Sequence, residues 1–210
     1  LALDTETISY NLDATAGYEF TRVLDRSQDS LLRDSGWTLG TPTPSSAIEN
    51  SVSYAFGATD GRLASVNKGS DSFSYLYAPS SSLIATVTSP AHIVSNVYEP
   101  TRNVLASKVN KKLDTTAVSS YFYTVNNLGQ RTNLTTSYNL GAGVTGNSGD
   151  VAWGYDSLGQ VTSADHSADT AFNRSYQYDL IGNRLQGSAG VSPATTTTYT
   201  ANALNQYSQI

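Results

Sequence analysis

Polar and apolar residues alternate along most of this chain in short runs, and aromatic residues recur two positions apart. The pairs are Tyr54 and Phe56, Tyr75 and Tyr77, Tyr121 and Tyr123, Trp153 and Tyr155, and Tyr176 and Tyr178. Residues two apart lie on one face of a strand, so each pair sets two rings on the same side. Behind the pairs come a turn phrase and a second alternating run, as in Leu63-Ala64-Ser65-Val66, Leu83-Ile84-Ala85-Thr86-Val87, Val104-Leu105-Ala106-Ser107-Lys108-Val109 and Val161-Thr162-Ser163. Strand, turn, strand predicts a β-hairpin. No amphipathic helix is predicted anywhere.

The hairpins repeat. The second aromatic of each copy falls at Phe56, Tyr77, Tyr98, Tyr123, Tyr155, Tyr178 and Tyr199, at intervals of 21, 21, 25, 32, 23 and 21 residues. A fixed period of this size is the signature of a repeat architecture, in which each unit buries its face against its neighbours. Such a chain makes a surface or a wall more readily than a single catalytic pocket. Hairpins at this spacing imply about 14–16 strands, more than the ~10 that an open twisted sheet usually holds before it curls.

The turn phrase is clearest in Tyr155-Asp156-Ser157-Leu158-Gly159 and Tyr178-Asp179-Leu180-Ile181-Gly182. Asp156 and Asp179 stand where a carboxylate accepts hydrogen bonds from the turn's own backbone, and Gly159 and Gly182 stand where the chain needs positive φ. Tyr155, Asp156, Gly159, Tyr178, Asp179, Gly182 and Arg184 are therefore assigned as the structural repeat motif. Copies at 77–82 and 98–103 lack the glycine and carry Ser81 or Asn103 near its place. Arg62, Arg131 and Arg184 follow turn glycines and are expected to pair with turn carboxylates or with carbonyls of the next hairpin.

Residues 1–50 read as a degenerate hairpin, Tyr18 to Val23 turning back through Leu31-Leu32 to Trp37-Thr38-Leu39, followed by a connecting loop at Thr41-Pro42-Thr43-Pro44-Ser45-Ser46. Residues 51–210 read as one continuous array of hairpin repeats. The longest interval is explained by a loop at Gly141–Gly149.

Composition agrees with an all-β chain. There are 14 Tyr against 5 Phe and 2 Trp, and charged residues make up only 14%, where a quarter is usual. Tyr, Thr, Ser and Val favour strands and turns. A net charge of −5 and a pI near 4.8 argue against nucleic acid, which asks for a basic footprint. Zero Cys removes disulfides, zinc-thiolate sites and thiol catalysis. No run approaches the ~20 apolar residues of a membrane span. The first residues show no signal peptide and no initiator methionine, so the chain is expected to be a piece of something longer.

Candidate chemistry is sparse. The tyrosines could stack glycans, but rings at a strand period are more economically read as cross-strand packing. Asp156 and Asp179 could act as paired catalytic carboxylates or hold calcium, yet glycoside hydrolysis needs two carboxyls about 5–10 Å apart and calcium needs six or more oxygens. Their repetition at each turn is explained by turn bonding. Asp165-His166-Ser167 holds triad residue types, but neighbours on a strand point apart, and His92 and His166 are expected to be ordinary loop residues. No enzyme, cofactor or metal site is expected.

The two clear copies, Trp153-Gly154-Tyr155-Asp156-Ser157-Leu158-Gly159-Gln160-Val161-Thr162-Ser163 and Tyr176-Gln177-Tyr178-Asp179-Leu180-Ile181-Gly182-Asn183-Arg184, resemble the RHS/YD-repeat family, as does the closing Tyr199-Thr200-Ala201-Asn202-Ala203-Leu204-Asn205-Gln206-Tyr207. The resemblance spans roughly residues 50–210. It implies repeated antiparallel hairpins wound into a curved, spiral β-shell. In toxin-carrying members that shell encloses a C-terminal effector, and in teneurin-like relatives it is an extracellular scaffold. The implied role is a structural shell segment with a C-terminal cargo polypeptide or neighbouring repeats as partners, secreted or at the cell surface. The alternative is an adhesion or carbohydrate-binding surface with glycans as partners. The family's Asp-Pro-containing autoproteolytic phrase does not occur in this sequence, so the resemblance assigns no self-cleavage here.

Overall fold

The computed structural model describes residues 5–11, 19–42, 47–139, 141, 148–190 and 195–209. Among them are eighteen strands and one 3-10 turn at Thr170–Phe172. The chain is all-β, and its strands pair antiparallel as repeated hairpins. Most of the Gly141–Gly149 loop and the segment 43–46 of the proline-containing loop lie outside the described residues.

The chain divides into two compact units, 1–93 and 94–210. In the first, β1 (Thr5–Asn11), β2 (Glu19–Gln28), β3 (Asp34–Gly40), β4 (Ile48–Phe56), β5 (Leu63–Lys68), β6 (Asp71–Tyr77) and β7 (Ile84–Thr88) pair in chain order. The second carries β8 (Ile93–Tyr98), β9 (Leu105–Lys111), β10 (Ala117–Val125), β11 (Arg131–Tyr138), β12 (Gly149–Tyr155), β13 (Val161–His166), β14 (Arg174–Tyr178), β15 (Arg184–Ala189) and β16 (Thr195–Thr198), again in chain order. A small separate ribbon joins β17 (Thr200–Ala201) to β18 (Tyr207–Gln209).

Register separates two chemistries. Tyr54 stands opposite Val66 and Phe56 opposite Leu63. Tyr75 faces Val87, Trp153 faces Ala164 and Tyr176 faces Gly187. The intervening positions pair hydroxyls and amides: Ser53 with Asn67, Ser65 with Ser74, Ser74 with Thr88. In the second unit one hydroxyl row runs Ser163, Ser175, Ser188, Thr196 across four strands. Because side chains alternate across a strand, rings and hydroxyls occupy opposite faces.

No hydrophobic side chain among the described residues is fully buried; the side chains that are buried belong to Ser89, Ser107 and Ser120. Within each unit the strands of the main sheet pair with their neighbours in chain order. The cohesion of the sheet rests on ladder hydrogen bonds and on rings half-covering their neighbours, not on a closed core.

Candidate functional site

The recurring chemistry of the chain lies where strands turn. Five turns share one form: Asp29–Arg33, Asn126–Gln130, Asp156–Gln160, Asp179–Asn183 and Asn202–Gln206. In each, the side-chain Oδ1 of the first residue accepts the backbone N–H groups of the third and fifth. For Asp156 both distances are 2.9 Å; for Asp179 they are 3.1 and 2.8 Å. The same pair occurs at Asp29, Asn126 and Asn202. The fourth residue donates to the carbonyl of the first, at 3.1 Å from Gly159 to Asp156 and from Gly182 to Asp179. That residue has positive φ: +82° at Gly159 and +93° at Gly182, but also +60° at Leu32 and +57° at Asn205.

Four turns also reach the next one along the chain. Arg33 Nη1 donates to the Gly61 carbonyl at 2.9 Å, Arg62 Nη1 to the Ser81 carbonyl and Arg102 Nη1 to the Asn126 carbonyl at 2.7 Å. Gln130 Nε2 donates to the Gly159 carbonyl at 3.2 Å. The turn glycine has a second job here. A Cβ on Gly159 would stand 2.9 Å from Gln130 Nε2, and one on Gly182 would stand 3.1 Å from Gln160 Nε2. Glycine thus admits the side chain arriving from the preceding hairpin.

Within the turns, Arg33 pairs with Asp29, Arg62 with Asp60 and Arg102 with Glu99, at 2.5–2.6 Å. All are partly exposed, so each pair contributes little alone. The Arg33 side chain holds the Asp29 carboxyl below the usual carboxylate range. The Asn183 amide does the same for Asp179, with burial opposing and backbone N–H groups adding to it. The backbone N–H of Arg62 and then its side chain lower Asp60.

The aromatic face is threaded with arginine. Arg33 lies 4.1 Å over the Phe56 ring, Arg62 4.5 Å over Tyr77, and Arg131 4.2 Å over Tyr123. Arg184 sits 4.6 Å from the Tyr176 ring centre and 5.7 Å from that of Tyr199. These are cation–π distances. Tyrosine hydroxyls reach back across the sheet: Tyr77 to the Leu63 carbonyl at 2.8 Å and Tyr155 to the Arg131 carbonyl at 2.6 Å. Tyr207 in turn accepts the Arg184 backbone N–H at 2.9 Å.

Among the described residues, Arg62 alone of the three arginines that follow turn glycines makes the expected carboxylate and next-hairpin contacts. Arg131 and Arg184 lie over rings instead. At Arg184 the reason is local. The register shift between Gln177 and Tyr178 puts Tyr178 opposite Arg184 and Tyr176 opposite Gly187, and glycine leaves the ring of Tyr176 uncovered for the guanidinium. Sequence reasoning placed a turn at Leu31-Leu32 but missed that it has this form, although Asp29-Ser30-Leu31 repeats Asp156-Ser157-Leu158 letter for letter.

The remaining candidates are placed as follows. The Oδ1 atoms of Asp156 and Asp179 are each engaged by their own turn. Asp165 is opposite Ala152 and His166 opposite Val151, so the two side chains leave the strand on opposite faces. His166 is the last residue of β13, not a loop residue, and its ring lies 5.9 Å from that of Phe172. His92 Nδ1 is 2.9 Å from Ser89 Oγ, which is held by the backbone N–H groups of Ala91 and His92. That is a serine turn closing on itself. Among the described residues no group of three His, Cys, Asp or Glu side chains could hold a metal ion.

These features define a class: an all-β array of antiparallel hairpins in which, within each unit, turns are tied to the next. Among solved structures the chain is similar to one in the crystal structure of TcdB2-TccC3-Cdc42, at 16% identity and a TM-score of 0.67 over 89% of this chain and 10% of that one. It is similar in the same degree to a chain of the Photorhabdus luminescens Tc holotoxin pore, at 16% identity and 0.67 over 90% of this chain and 10% of that one. The chain thus spans about a tenth of the length of the solved chains it matches. At this identity the shared property is the fold, and that fold fits the RHS/YD-repeat shell the sequence resembles. No family model and no curated protein matches the chain.

Proposed function

We propose that this chain is a structural segment of an RHS/YD-type β-shell whose work is to enclose or display another polypeptide. The lacing of successive turns carries this reading: Arg33 to Gly61, Arg62 to Ser81, Arg102 to Asn126 and Gln130 to Gly159 spend their polar groups on joining hairpins. In this reading the segment acts without catalysis. The fold likeness to chains of Tc toxin complexes supports a shell-like role. In this reading the parent protein is secreted or displayed at the cell surface and its cargo is a C-terminal polypeptide.

The test is limited proteolysis of the parent protein. A cargo segment that survives protease while the shell is intact, and is digested once shell turns are broken by substitution, is the expected result. Equal digestion in both states would end the encapsulation reading.

A further inference from the structure

We propose a binding site for a carboxylated sugar on the aromatic face at β14–β16. A concavity of about 230 Å³ opens there, bordered by Arg174, Tyr176, Arg184, Gly187, Thr197 and Tyr199. Three observations define its chemistry.

The first is charge. Arg22, Arg33, Arg62 and Arg102 each hold a carboxylate within 2.6 Å. Neither Arg174 nor Arg184 has one within ion-pair distance among the described residues. Arg174 donates instead to the carbonyls of Ala171 and Asn173, at 2.9 and 2.7 Å. In a chain of net charge −5, two guanidinium groups without a carboxylate border one hollow.

The second is shape. A Cβ on Gly187 would lie 3.6 Å from the Tyr176 ring, 3.8 Å from the Tyr199 ring and 3.9 Å from Arg184 Cδ. The missing side chain is therefore what keeps the floor open between the two tyrosines. Gly187 does not have positive φ, so its backbone does not require glycine.

The third is the mixture of surfaces. Beside the Arg184 guanidinium they hold, the rings of Tyr176 and Tyr199 offer apolar surface to the C–H groups of a pyranose. The hydroxyl of Thr197 offers a donor and acceptor to ring hydroxyls, and a guanidinium binds a carboxylate with paired N–H donors. An acidic peptide side chain would use the arginine alone and leave rings and hydroxyl idle. This assignment stands independently of the shell reading.

The experiment titrates the 210-residue chain with N-acetylneuraminic acid and glucuronic acid by calorimetry or ligand-observed NMR, with glucose and a hexaglutamate peptide as comparators. Acidic sugars are expected to bind at least tenfold more tightly than glucose or the peptide. Arg174→Gln and Gly187→Val should each weaken that binding tenfold or more while the circular dichroism spectrum is unchanged. Gly187→Ala, whose methyl meets its neighbours at ordinary contact distance, serves as the milder filling variant should valine disturb the strand. Indifference between glucose and the acids, or binding untouched by the folded variants, would overturn the site. Equal binding of hexaglutamate would overturn the sugar assignment in favour of a peptide carboxylate.

Discussion

The side-chain amide of Gln130 donates to the carbonyl oxygen of Gly159 across 3.2 Å, although 29 residues of chain separate them. The same amide nitrogen lies where a Cβ on Gly159 would come within 2.9 Å. One contact therefore explains both residues: glutamine reaches from one turn to the next, and glycine makes room for it.

Substitution at this pair should be non-additive. Gln130→Ala is expected to lose about 0.5–1.5 kcal/mol, the net worth of one hydrogen bond. Gly159→Ala should lose about 1–2 kcal/mol from the left-handed backbone alone, and more from displacement of the amide. The double variant should be less destabilised than the sum, since the displaced amide is already gone. Urea unfolding of the four proteins measures the coupling, and strict additivity would dissolve the proposed link.

Leu32 holds the glycine position of the Asp29 turn at φ +60° and is 78% exposed. Leu32→Gly removes the strain while giving up little burial. Stability should rise by about 0.5–1 kcal/mol after the extra unfolded-state entropy of glycine is subtracted. A lowered thermal midpoint would show that Leu32 contributes contacts this geometry does not reveal.

Acid should loosen the turns. The carboxyls of Asp29, Asp60, Asp114 and Asp179 all titrate below the ordinary value of 3.8, held down mainly by Arg33, Arg62, Thr116 and Asn183 respectively. A carboxyl depressed in the folded state adds stability that is complete above its unfolded value and is lost as pH falls through its folded value. The urea midpoint is thus expected to be insensitive to these groups near neutral pH and to fall below about pH 4. Asp179→Asn provides the control, because Asn126 and Asn202 already build the same turn with an amide. That variant should keep the turn and shed part of the acid sensitivity; an unaltered pH profile would remove Asp179 from the account.

Arg184→Lys should destabilise the second unit by about 0.5–2 kcal/mol, the range of a cation–π contact. A planar guanidinium stacks on a ring in a way an ammonium does not. Chemical denaturation followed by tyrosine fluorescence reads the effect, and unchanged stability would mean that the ring contacts at Tyr176 and Tyr199 carry no energy.

Much of this was legible in the chain because the turn form has a local cause. Asp156 bonds residues two and four positions on, and Gly159 closes the same turn, so five consecutive letters contain the whole device. The Asp29 copy escaped because leucine occupies the left-handed position, where glycine was the cue. Asn202 succeeds with asparagine at both special places, the residue that best tolerates that backbone after glycine. The lacing was legible at Arg62, whose reach to the next hairpin was expected, and illegible elsewhere for a different reason. Gln130 and Gly159, or Arg102 and Asn126, meet only after strands between them have paired, and no local pattern records which side chain will bridge. The reach of Arg184 to Tyr176 likewise depends on a one-residue register shift and on Gly187, neither of which announces itself in the letters.

A sheet in which no described hydrophobic residue is fully buried has a consequence for how such a chain changes over time. Where a closed interior must be repacked when a segment is added, here a new hairpin needs only a compatible neighbour on either side. Length becomes an adjustable quantity. Duplication or loss of one 21-residue phrase would alter how many strands the sheet holds while leaving every other joint as it was.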